Sequence, residues 1–188
     1  MREGCQHDCD ERSTVVRRAA QTRRRAVVVF IGLLAPLAAP GEEIVRNWFN
    51  DPFFQVRSAI ANCPVPLGPY GTEADRMRET HYRSERGLRC YLEKKCTKPS
   101  SYMYDADIAA AVKAKFEKSP LLRDSTLWVT AQRRFVYVEG CVTSARAADE
   151  IRKLLADVPD REQTIVNLTR DRKTPPYRVA GPGQRRVD

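Results

Sequence analysis

A chain of 188 residues holds one or two small domains, and a 42% hydrophobic share is ordinary for a globular protein, which excludes disorder throughout. Formal net charge is +9; the first 41 residues hold seven arginines and four acids, so the remainder keeps 26 basic and 20 acidic residues, a surplus of six. That balance favours anionic partners without choosing between phospholipid surfaces and nucleic acid.

Arg23-Arg24-Arg25 precedes an apolar run from Ala26 to Ala39. A helix crossing a bilayer needs about 20 apolar residues. This run has 14 and contains Pro36, which fits the core of a secretory signal. Small residues at Ala39 and Gly41 offer a cleavage site. Residues 1–41 therefore read as a signal peptide, with the mature protein in the periplasm. An uncleaved inner-membrane anchor is the second reading. Export leaves Cys63, Cys90, Cys96 and Cys141, enough for two disulfides in any of three pairings. A metal site has little to use, because the mature chain holds one histidine, His81, and no paired Cys-x-x-Cys motif. No cofactor is expected.

Residues 42–104 read as a helical, cysteine-rich segment. Asn50-Asp51-Pro52 has the form of a helix start, with Phe53, Val56 and Ile60 on one face. Pro64, Pro66 and Pro69 then stop that helix and make a stiff connector. Thr72 caps a second helix opened by Glu73 and Asp75 and ended by Gly87. Its apolar stripe is Ala74, Met77, His81 and Leu88, with Arg76, Arg78, Arg83 and Arg86 turned away. His81 on that stripe reads as packed and hydrogen-bonded. The Cys90 to Cys96 loop is too polar for a core and depends on its cysteines. Residues 97–104 form a boundary.

A third helix follows from about Ala106 to Lys118, capped by Asp105, with Ile108, Ala111, Val112 and Phe116 inward. Leu127 and Val129 alternate with Trp128 and Thr130 on a strand. After a hairpin at Ala131-Gln132-Arg133-Arg134, Val136, Val138, Gly140 and Val142 alternate with Phe135, Tyr137, Glu139 and Cys141. A fourth helix over residues 145–156 and a last strand over 164–169 complete the unit. Residues 171–188 are a basic Pro/Gly tail with almost nothing to bury, and read as disordered.

Asp107-Ile108, Leu127-Trp128-Val129, the run Val136 to Ser144 and Val166-Asn167-Leu168 resemble the BON domain of bacterial envelope proteins, over residues 105–170. The alternating strand closing on glycine, hydrophobe and serine is the most specific part. Asp160-Arg161 departs from the family, which usually has glycine and a hydrophobe there. The resemblance implies an α+β fold, two helices on a three-stranded mixed sheet in the order αββαβ. It also implies a periplasmic, non-enzymatic role, binding phospholipid or envelope proteins.

Strand periodicity adds an expectation of its own. If the helices cover Leu127, Val129, Val136, Val138 and Val142, then Trp128, Phe135, Tyr137 and Cys141 face the other way. Three aromatics and a cysteine make a poor solvent face, so the segment from Ile44 to Cys96 is expected to pack over them, fastened by a disulfide from Cys141. A partner or lipid meeting Trp128, Phe135 and Tyr137 is the competing idea.

The leading functional reading is a periplasmic protein that binds anionic phospholipid at the membrane periphery and supports envelope integrity. Lys113, Lys115, Lys118 and Arg123, with Arg133 and Arg134 at the hairpin, are its candidate headgroup contacts. A protein-interaction module of an envelope or secretion assembly is the alternative. Nucleic acid conflicts with export, and the aromatics are not interleaved with the arginines. Catalysis lacks a Ser/His/Asp or Cys/His set, a phosphate loop and a carboxylate pair.

Overall fold

A computed structural model describes residues 41–188; the proposed signal run, Cys5 and Cys9 lie outside the described residues. The architecture is α+β. Its helix-packed core comes from helix α3 (Asp105–Lys118), strands β3 (Thr126–Gln132) and β4 (Phe135–Cys141), helix α4 (Ala147–Leu154) and strand β5 (Gln163–Thr169). β3 and β4 pair antiparallel and β4 and β5 parallel, with Val138 opposite Val129 and Val166. Ile108, Val112 and Phe116 of α3 and Ile151 of α4 meet Leu127, Val129, Val136 and Val138 in one cluster. Each such side chain taken fully from water contributes about 1.5–3 kcal/mol.

The sheet carries one strand more than the sequence pattern indicates. Residues 53–58, expected to be helical, form strand β2 (Phe53–Ser58), which pairs antiparallel with the outer edge of β3. The helix signature fails because Asn50 adopts φ 54° and Asp51 is buried in an ion pair, so the residues resembling a cap end a tight turn. Phe53 and Phe54 then fall on opposite faces of the sheet.

The second face is closed by segments from both sides of the helix-packed unit. Trp128, only 9% exposed, clusters with Cys63, Cys141, Phe53 and Ile60, and a disulfide joins Cys63 to Cys141. Val129, its neighbour, lies in the helix-side cluster, so the strand alternates as its sequence does. Residues 171–188 are not a disordered tail. Tyr177 is buried and donates its hydroxyl to the Pro64 carbonyl (2.9 Å), and strand β6 (Gln184–Val187) pairs parallel with β1 (Glu43–Arg46). Low apolar content misled here because this layer is held by backbone pairing and stacked guanidinium groups. Arg186 lies over the rings of Phe53 and Tyr70.

Helix α1 (Glu73–Glu85) opens on a reciprocal capping box between Thr72 and Asp75. Its orientation is the reverse of the expected one. Met77 on the apolar stripe is exposed, and His81 is 83% exposed beside Glu85 instead of packed. The side chains turned inward are Asp75, Arg76, Glu79, Arg83 and Arg86. Gly87 follows at φ 99°, and a Cβ there would sit 2.7 Å from the Ser101 nitrogen. Helix α2 (Leu88–Leu92) comes next, with a second disulfide between Cys90 and Cys96. No helix among the described residues is long and apolar enough to cross a membrane.

Candidate functional site

Helix α3 has one face sunk in the core and one flank open. Along that flank Ala111, Ala114, Lys115 and Lys118 recur at helical spacing and, with Ser119 and Leu154 of α4, line an open groove of about 410 Å³. Small alanines keep the floor low and apolar, while the two lysines stand on its rim. The Lys115 ammonium pairs with Asp157 and holds that carboxyl below the ordinary carboxylate range. The Lys118 side chain is exposed. Both lie near the helix C-terminus, where a cation also complements the backbone dipole.

The other predicted cations are distributed differently. Lys113 is exposed but does not line the groove. Arg123 lines a separate hollow with Arg57, Glu117 and Ser119. There Arg57, from β2, donates through Nη2 to the carbonyls of Phe116 (2.7 Å) and Ser119 (2.9 Å). This arginine caps α3 and ties it to the added strand. Nothing in the spacing of Phe53 to Ser58 signalled that role once the segment was read as a helix.

Arg133 and Arg134 are engaged within the chain. They form the two-residue turn between β3 and β4, both with positive φ, at 60° and 68°. Their backbone N–H groups each donate to the Asp105 carboxylate at 2.8 Å. Asp105 was expected to cap α3; it is instead the first residue of that helix and fastens the hairpin. At 2% exposure, burial pushes its pKa up to about 6 despite those two N–H groups. The Arg133 side chain donates to the Tyr137 hydroxyl (3.2 Å) and lies over Tyr82 and Phe135. Arg134 donates through Nε to the Asp160 carbonyl (2.7 Å) and lies over Tyr104.

The aromatic face is likewise occupied. Trp128 is covered by Cys63 and Phe53, while Arg86 and Arg133 lie over Phe135. This belongs to a wider arginine layer beneath α1. Arg83 is held between the rings of Phe49 (3.9 Å) and Tyr102 (3.8 Å) and pairs with Asp51; the two side chains are only 13% and 6% exposed. Gln132 donates to the same carboxylate at 2.7 Å. Tyr102 donates to Glu79 (2.9 Å), and burial raises its pKa. The spacing of Arg76, Arg83 and Arg86 carried this signal, but a planar guanidinium on a ring buries as a hydrophobe would, and sequence pattern alone counts it as polar.

Among the described residues no group of His, Cys, Asp or Glu is arranged to hold a metal ion. No curated protein and no solved structure matches the chain. The family model of the BON domain does match residues 104–170, the unit α3-β3-β4-α4-β5 that carries the groove, and this part of the chain is similar to a BON domain.

Proposed function

We propose that this chain is a non-enzymatic, exported protein of the cell envelope whose BON domain holds an anionic phospholipid surface through the groove between α3 and α4. The observation that carries the reading is the pairing, on one helix flank, of an apolar floor at Ala111, Ala114 and Leu154 with the ammonium groups of Lys115 and Lys118. A headgroup phosphate meets the lysines while acyl carbons meet the alanines. The two disulfides accord with an oxidising compartment. Supporting envelope integrity is the role such a peripheral contact would serve.

Each basic residue near an anionic surface contributes on the order of 1 kcal/mol, so Lys115→Gln with Lys118→Gln is expected to weaken binding about tenfold or more. Sedimentation with vesicles containing phosphatidylglycerol measures this, with circular dichroism as the check on folding. Unchanged binding by the folded double variant would remove the groove from the account.

A further inference from the structure

Helix α2 turns its apolar side outward. Leu88, Tyr91 and Leu92 stand at i, i+3 and i+4, hence on one face, and are 42%, 43% and 70% exposed. In an ordinary helical turn this triad would pack inward. Here the staple sets the direction, because Cys90, on the other side of the turn, is bonded to Cys96. The Lys95 and Cys96 N–H groups both return to the Cys90 carbonyl, at 2.9 and 3.2 Å.

The loop is also fixed at its base. Ser101 N–H donates to the Arg86 carbonyl at 2.9 Å, just before the loop leaves. The Tyr104 hydroxyl accepts from the N–H groups of Thr97 (2.9 Å) and Lys98 (2.8 Å), where the loop returns. Between these anchors residues 88–96 form a closed, preorganised tip.

Its charge says what it meets. Close to the triad in sequence stand Arg89, Lys94, Lys95 and Lys98; Glu93 bonds Arg89 and Lys95 at 2.8 Å each, and Lys98 pairs with Asp107 at 2.6 Å, so basic groups outnumber acids here by two. Exposed leucines, an interfacial tyrosine and a local surplus of basic side chains match the boundary of an anionic bilayer, where acyl carbon lies beneath phosphate. We propose that the stapled tip is a membrane-inserting element, outside the BON domain, that seats Tyr91 and Leu92 below the headgroups. The proposal rests on the reading of an anionic membrane as partner, and adds a second contact to the one at α3.

The test uses the oxidised chain with vesicles of phosphatidylcholine, with and without phosphatidylglycerol. Leu92→Asp should keep the parent's circular dichroism, because the side chain is exposed, and bind anionic vesicles about tenfold more weakly, roughly what burying one leucine is worth. A Leu92→Trp variant should shift its emission to the blue on those vesicles and be quenched by brominated lipid, relative to the parent with Trp48 and Trp128. Cys90→Ser with Cys96→Ser should lose insertion while retaining the Cys63–Cys141 bond. If Leu92→Asp binds as the parent does and the added tryptophan shows neither change, the tip does not insert. Loss of binding only in the Lys115/Lys118 variant would then leave the groove as the sole contact. Loss only in the Leu92 variant would remove the groove and keep the tip.

Discussion

At the scale of single residues, the fold depends on a few positions with no alternative. Gly140 sits in β4 at φ 147°, and a Cβ there would lie 2.1 Å from the Thr126 carbonyl oxygen. Backbone, not a flexible side chain, blocks it. Gly140→Ala is expected to destabilise the protein by about 3 kcal/mol or more, from strain together with disrupted pairing of β4 with β3. Urea unfolding against the parent measures this. Asp105 supplies a pH signature. Its folded pKa, about 6, lies above the ordinary 3.8, so folding favours the protonated form. The stability from that preference is complete below about pH 4 and is lost as pH rises through 6. Relative to Asp105→Asn, which does not titrate, the parent should therefore gain stability as pH falls from 7 to 4. A difference curve that is flat, or slopes the other way, would contradict the assignment.

At the scale of elements, legibility in the sequence followed how each element is held. α3, β3, β4, α4 and β5 are held by apolar side chains at regular spacing, so periodicity located them and put Val129 and Trp128 on opposite faces. β2 was missed because Asn50-Asp51-Pro52 has the composition of a cap, while the buried Asp51–Arg83 pair that decides its conformation joins residues far apart in the chain. β6 was missed because it is held by β1 and by rings beneath Arg186, neither of which shows as a run of hydrophobes. The same blindness turned α1 the wrong way round and hid the intrachain bonds of Arg133 and Arg134. Truncating one partner of a buried ion pair strands the other charge, so Arg83→Ala should cost about 3–5 kcal/mol. Arg83→Lys should recover only part of that, since an ammonium cannot stack between Phe49 and Tyr102. Thermal unfolding of the two variants provides the comparison.

At the scale of the whole molecule, the α3-β3-β4-α4-β5 unit is closed on its second face by sequence from both sides of it, and one disulfide spans 78 residues to fasten the cover. In the chain-entropy account a loop of that length stabilises by about 4 kcal/mol. Cys63→Ser with Cys141→Ser should therefore destabilise the protein about twice as much as loss of the Cys90–Cys96 staple, whose sequence separation is 6. The resemblance to the BON domain was legible because its strand motif is local. The closure was legible as an aromatic face covered by the segment from Ile44 to Cys96 and fastened from Cys141, but the share taken by residues 171–188 was not. On the proposed reading, cations at the α3 flank and the stapled tip meet negative charge over a surface, which makes ionic strength a direct probe. The decisive measurement is sedimentation of the oxidised chain with vesicles, with and without phosphatidylglycerol, from low to high salt. The account predicts binding only where the anionic lipid is present, weakening steeply as salt is added. Equal affinity for both vesicle types, unchanged across the salt series, would contradict it.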